Sequence, residues 1–204
     1  MHLEILNKNQ VELTPMIKSF KREFYMVGVT AIALHIGHRL SIDFDMFKET
    51  AFSPKKNLTK LDSFKQSYRV TLNIENQLNL ICNEVKLTFF SFPHTIEHPI
   101  KVNDFISIPT LLDLAAMKAF ALGRRSKWKD YLDLYFIIKS HYGIKEISER
   151  ASTIFGLLFT EKLFRSQISY FEGVNYSENV EFMPGFEVDE QIVKDFLIEK
   201  ALEI

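Results

Sequence analysis

From Ser41 onward the chain reads Ser41-Ile42-Asp43-Phe44-Asp45-Met46-Phe47, with polar and apolar side chains alternating. A period of two is the mark of a strand with one buried face. Just upstream, Phe24 to Val27 is a short apolar run that stops at Gly28 and reads as a buried strand. Thr30 to Ile36 suits a helix, closed by Gly37, the residue expected just past a helix end. Leu13 to Arg22 suits another, with Thr14-Pro15 near its start. Ser53-Pro54 breaks the chain before a helical run from Lys55 to Lys65. Three strand-like runs follow: Ser67 to Ile74, Leu78 to Cys82 after a Glu75-Asn76-Gln77 turn, and Val85 to Phe92 before Pro93. They read as an antiparallel meander. From Pro109 the pattern turns helical. One helix runs from Thr110 to Leu122, with Thr110 as its N-cap and Asp113 in its first turn. A second runs from Lys127 to Ser140, and two or three more end with Asp189 to Leu202. The expected class is α+β: a mixed sheet with helices over residues 1–105, then a C-terminal helical bundle over 106–204.

Composition narrows this only slightly. The 204 residues suffice for one large or two small domains, and 19 Phe against 7 Gly and 6 Pro imply long elements and a well-filled core. The net charge of −1 gives no whole-chain case for nucleic-acid binding. Lys118, Arg124, Arg125, Lys127 and Lys129 nevertheless crowd together, either as a local basic patch or as a solvated turn. Cys82 is the lone cysteine, so no intrachain disulfide forms, which fits a reducing compartment. No signal-peptide pattern and no apolar stretch of membrane-spanning length stand out. The expectation is a cytoplasmic protein with no membrane partner.

The first chemical feature is Asp43-Phe44-Asp45. On a strand, side chains two apart share a face, so these carboxylates project together, roughly 7 Å apart at Cα. That pair suits shared divalent metal, with Ile42, Phe44 and Met46 filling the opposite face. The competing reading is an amphipathic strand with a solvated polar face, although aspartate is poor in strands. Gly28-Val29-Thr30, between a strand and a helix, offers a helix N-terminus to phosphate or is simply a turn. Lys118 falls inside the apolar stripe Leu111, Leu114, Ala115, Ala121, Leu122, where an aliphatic residue is expected. A lysine there needs a partner: substrate phosphate, Asp130 or Asp133, or water reached by snorkelling. Asp130 and Asp133 share a helix face. Asp133 orients Lys118 or Arg125, joins the active site, or forms a buried structural ion pair. Trp128, Tyr131 and Tyr135 read as core, with base stacking the minority alternative. His35, His38, His94, His98 and Cys82 match no compact zinc spacing.

The order strand, glycine turn, helix and Ser-x-Asp-x-Asp strand resembles nucleotidyltransferases of the polymerase-β type. The local text is similar to the AbiEii toxin family. Gly28-Val29-Thr30-Ala31-Ile32-Ala33-Leu34 and His38-Arg39-Leu40-Ser41-Ile42-Asp43-Phe44-Asp45 resemble its first motif. Asp113 to Leu122 with Lys118, then Lys129-Asp130-Tyr131-Leu132-Asp133-Leu134, resemble its lysine helix and Lys-Asp segment. Gln167 to Phe171 and Met183-Pro184 resemble its C-terminal region. The resemblance implies a nucleotidyltransferase core whose active site the helical region completes. It implies metal-dependent transfer of a nucleoside monophosphate from a nucleoside triphosphate, with Mg²⁺ or Mn²⁺. Asp43 and Asp45 would hold metal and act in catalysis with Lys118 and Asp130, while Gly28, Thr30, Ser41 and Arg125 would bind nucleotide. The acceptor would be tRNA, a protein or a small molecule, an antibiotic among them. The implied setting is a bacterial toxin–antitoxin or phage-exclusion system with a cognate antitoxin as partner.

Two positions depart from that pattern. Val29 stands where a second small residue is usual, and Thr88 where an acidic residue is often found. By strand parity Glu84, Lys86 and Thr88 share a face, but Glu84 lies about 13 Å along the strand from Thr88. These departures define the second reading, a catalytically degenerate binding or interaction module on the same fold.

Overall fold

The computed structural model describes residues 1–122 and 124–203. The chain divides into two compact units, Met1–Thr110 and Leu111–Ile204. The first contains a 3-10 turn, three helices and seven strands: α1 (Lys8–Lys18), β1 (Tyr25–Val27), α2 (Gly28–Ile36), β2 (Asp43–Lys48), α3 (Pro54–Asp62), β3 (Tyr68–Ile74), β4 (Gln77–Cys82), β5 (Val85–Ser91), β6 (Ile100–Val102) and β7 (Ile106–Ile108). Its main sheet has the order β1-β2-β5-β4-β3. β2 and β5 run parallel and every other pair antiparallel, so the sheet is mixed. β6 and β7 form a small separate hairpin.

Local chemistry accounts for these elements. Asn83 and Glu84 both have positive φ (49° and 61°) between the paired Cys82 and Val85, the backbone a two-residue hairpin requires. The pleat then sorts the side chains. Phe44, Met46, Leu78, Leu80, Leu87 and Phe89 are wholly buried on one face. Phe20, just beyond α1, lays its ring 4.8 Å from that of Phe89, and Leu13 and Ile17 of α1 are wholly buried too. The other face carries Asp43, Asp45, Lys86 and Thr88, half-buried or exposed.

Three sequence expectations shift. α1 begins at Lys8 rather than Leu13 because Asn7 and Gln10 form a reciprocal capping box: Gln10 N–H donates to Asn7 Oδ1 (2.9 Å) and Asn7 N–H to Gln10 Oε1 (3.1 Å). Pro15 therefore lies inside the helix, where it cannot donate to the Val11 carbonyl. The Thr14 hydroxyl donates to that oxygen instead, at 2.8 Å. Ile42 precedes β2 and is 56% exposed, so it does not join Phe44 and Met46 on the inner face. Ile106 to Ile108 pair with β6, which keeps them in the first unit, whereas the sequence placed the boundary after residue 105.

The second unit is helical: α4 (Leu111–Leu122), α5 (Trp128–Ser140), α6 (Ile144–Phe155), a 3-10 turn, α7 (Glu161–Ile168) and α8 (Glu190–Leu202). α4 packs against α5, α6 and α7, and α8 packs against α5 and α7. Phe120 stacks on Phe155 with ring centroids 3.8 Å apart, and Tyr135 meets Phe196 edge-on at 5.1 Å. Trp128, Tyr131 and Tyr135 are buried in this core. The Asp189 carboxylate caps α8 by accepting from Gln191 N–H at 2.7 Å. At the other end of α8, Arg165 donates to the Lys200 and Ala201 carbonyls at 3.3 and 3.1 Å. No described helix is long and apolar enough to cross a membrane.

The capping box predicts a specific stability change. Asn7→Ala should destabilise the protein by about 1 kcal/mol. Urea denaturation should show a lowered midpoint with an unchanged slope.

Candidate active site

The candidate site of the first unit is built around β2. Phe44 and Met46 drive its apolar edge into the core, so Asp43 and Asp45 must share the open face. β1 pairs antiparallel with β2, setting Val27 opposite Asp45. The next residue, Gly28, opens α2 with φ of +72°. An added Cβ at Gly28 would overlap the Asp45 carboxylate. Glycine is thus required twice over, by a left-handed backbone and by the close approach of Asp45. The approach brings a carboxylate to the positive end of α2.

Thr30 ties the same helix to the start of β2. Its hydroxyl is nearly inaccessible, lies 2.9 Å from the Ser41 hydroxyl and donates to the Asp43 carbonyl. Ser41 is also buried. Of Thr30 and Ser41, candidates for phosphate contact, Thr30 is therefore placed where its hydroxyl fixes the Asp43 backbone, with the Ser41 hydroxyl beside it. His38 and Arg39 of the adjoining segment are buried as well. Val29, in the first turn of α2, is half-buried.

The strand register supplies what parity alone could not. In the parallel pair, Asp45 stands opposite Thr88 and Asp43 opposite Lys86. Thr88 is therefore the neighbour of Asp45, where an acidic residue would have made a third carboxylate. Glu84 does not replace it. The residue lies in the β4–β5 turn, and its carboxylate accepts from Asn9 of α1 at 3.3 Å. Among the described residues no group of three or more His, Cys, Asp or Glu is placed to hold a metal ion. The donor set on β2 still fits Mg²⁺, which commonly binds through one or two carboxylates and takes its remaining oxygens from water and substrate phosphate.

In the second unit, Lys118 and Asp130 do come together. The Lys118 ammonium lies 2.5 Å from Asp130 and 2.9 Å from Asp133, and all three are buried. Arg125 reaches Asp130 through Nε at 2.9 Å and Nη2 at 3.2 Å. Burial disfavours the Lys118 charge, but Asp130 and Asp133 outweigh it and raise the pKa above the usual 10.5. Burial likewise pushes Asp130 up, and Lys118 and Arg125 reverse this, holding it below the usual 3.8. The rest of the basic run is also engaged. Lys127 and Lys129 pair with Glu178 at 2.5 and 3.3 Å, and Arg124 lies 3.5 Å from the centre of the Phe120 ring. A cavity of about 590 Å³ opens beside this cluster, lined by Arg124, Arg125, Ser126, Tyr131, Gln167 and Asn175 among others. One pair went unforeseen: buried Asp113 accepts from Arg150 of α6 at 2.5 Å. An acidic residue in the first turn of α4 pointed to the helix dipole and gave no hint of a partner 37 positions away.

No protein-family model matches the chain. An uncharacterized protein of Aquifex aeolicus (strain VF5), aq_aa25, is 29% identical over 199 residues, covering 93% of this chain and 94% of that protein. Similarity to solved structures is clearer. A candidate nucleotidyltransferase from Helicobacter pylori matches with a TM-score of 0.62 at 16% identity, covering 96% of this chain and 94% of that one. JHP933 from Helicobacter pylori gives a TM-score of 0.58 at 14% identity, covering 98% and 90%. MenT4, the nucleotidyltransferase toxin Rv2826c of Mycobacterium tuberculosis H37Rv, gives 0.58 at 11%, covering 94% and 81%. The chain has the α+β fold of these nucleotidyltransferases.

Two measurements test the geometry. Gly28→Ala should cost about 1–2 kcal/mol from the backbone alone and displace Asp45 in addition. The lowered stability should appear in calorimetry, with a rotated Asp45 in a crystal structure of the variant. Lys118→Met should cost about 3–5 kcal/mol, since it removes the buried ammonium shared by Asp130 and Asp133. The pH window follows from both shifts. The Asp130 contribution is complete above its unfolded pKa and lost as pH falls through the lower folded one. The Lys118 contribution is complete below its unfolded pKa and lost as pH rises through the higher folded one. The difference in melting temperature between wild type and Lys118→Met should therefore be widest between about pH 5 and 9.

Proposed function

We propose that the protein is a metal-dependent nucleotidyltransferase of the AbiEii type. It moves a nucleoside monophosphate from a nucleoside triphosphate to a hydroxyl of tRNA, a protein or a small molecule. It acts as the cytoplasmic toxin of a bacterial toxin–antitoxin or phage-exclusion system and is held in check by a cognate antitoxin. The observation that carries the reading is the paired Asp43 and Asp45 on the open face of β2, with Asp45 seated against Gly28, in a fold shared with nucleotidyltransferases.

Asp43 and Asp45 would hold Mg²⁺ or Mn²⁺. When bound, such an ion neutralises phosphoryl oxygens as negative charge develops. The backbone at Gly28 and the positive end of α2 favour the phosphate chain. Thr30 keeps Asp43 in place through its hydroxyl, with the Ser41 hydroxyl against it. The acceptor oxygen bonds to the α-phosphorus, the bond from that phosphorus to the bridging oxygen breaks, and pyrophosphate leaves. The acceptor proton passes to water. Lys118 acts through Asp130, and Arg125, whose side chain is about half exposed, is the cation of that cluster most accessible to an anion. One observation favours the second reading, binding without transfer: Thr88 stands beside Asp45 in place of a third carboxylate.

Incubation with each α-labelled nucleoside triphosphate, Mg²⁺ and total tRNA tests the proposal. Label should appear on tRNA or on protein and fall to background in Asp43→Asn and Asp45→Asn. A folded wild-type sample that transfers nothing with any nucleotide or metal would leave the binding module standing.

A further inference from the structure

The open face of the main sheet holds a cation that packing does not account for. Lys86 lies on β5, which is paired on both sides, so it is not one of the lysines that guard a sheet edge. Lysine is disfavoured in strands, and an interior strand gives it no intrinsic advantage. The residue is exposed. Its neighbour across the parallel pair is Asp43, and on the other side it faces Ile81. The next residue on the same face, Thr88, lies between Asp45 and Asn79. Adjacent strands are about 4.8 Å apart, so Lys86 and the two aspartates form one compact constellation. Among the described residues Lys86 makes no ion pair or hydrogen bond.

This face carries the carboxylates of Asp43 and Asp45, the ammonium of Lys86 and the hydroxyl of Thr88. A first divalent ion has both carboxylates as ligands. A second would find a threonine where an acid could have stood and an ammonium next to Asp43. Lysine is a compact point charge well suited to phosphate oxygens.

We propose that Lys86 is a substrate-contacting residue, its ammonium binding non-bridging oxygens of the triphosphate beside Asp43, and that the face holds one divalent ion and not two. This rests on the nucleotidyltransferase reading. Lys86 then supplies part of the charge neutralisation that a second ion would provide in a two-metal site.

The test combines binding and transfer. Binding of the four α,β-methylene nucleoside triphosphate analogues is measured by calorimetry, and Mn²⁺ stoichiometry in their presence by electron paramagnetic resonance. Wild type should bind one Mn²⁺ per chain. Lys86→Met, folded and with an unchanged melting temperature, should weaken analogue binding about 10- to 100-fold. Lys86→Arg should restore most of it. The double variant Lys86→Met, Thr88→Asp should take up a second Mn²⁺. Transfer by wild type with analogue affinity unaltered in Lys86→Met, or two Mn²⁺ in wild type, would overturn the proposal and leave the nucleotidyltransferase reading intact. Neither binding nor transfer by wild type would overturn both.

Discussion

The contact between Gly28 and the Asp45 carboxylate fixes how β1 turns into α2 beside β2. β1 pairs with β2 so that a Cβ on the residue after Val27 would overlap the Asp45 carboxylate. Because that residue is glycine, the chain can turn with positive φ straight from a strand into α2. The turn places a helix N-terminus against β2, and Thr30, two residues on, then fastens the strand by bonding to the Asp43 carbonyl. The positions of both carboxylates follow from this one approach. The inward faces of Phe44 and Met46 make it stable, since twisting the strand to relieve it would expose them.

The two units place their charged side chains differently. In the helical unit Lys118, Arg125, Asp130 and Asp133 cancel one another. Burying Lys118, Asp130 and Asp133 is tolerable because each charge has a short partner, and a broken pair would cost far more than the intact cluster contributes. Lys127, Lys129 and Glu178 repeat the arrangement at the surface. A run of cations that reads as a local basic patch or a solvated turn is thus largely a set of ion pairs. On β2 and β5, Asp43, Asp45 and Lys86 stand on the open face of the sheet, half-buried or exposed.

Sequence alone determined whatever depends on neighbours along the chain. Strand parity put Asp43 and Asp45 on one face, and Gly28 marked a turn before a helix. Lys118, inside an apolar stripe, called for a partner or a path to water. Local pattern misled where two local signals competed, as when Thr14-Pro15 suggested a helix start near Leu13 and the Asn7–Gln10 capping box set it at Lys8. Tertiary structure decided what depends on which strand or helix lies alongside. Pairing of β2 with β5 brought Lys86 and Thr88 to the carboxylates, a relation no periodicity contains, because register is set by packing across forty residues of chain. Packing also chose among partners for Lys118, taking both aspartates at once, since a buried ammonium with several donors is best satisfied by every carboxylate within reach.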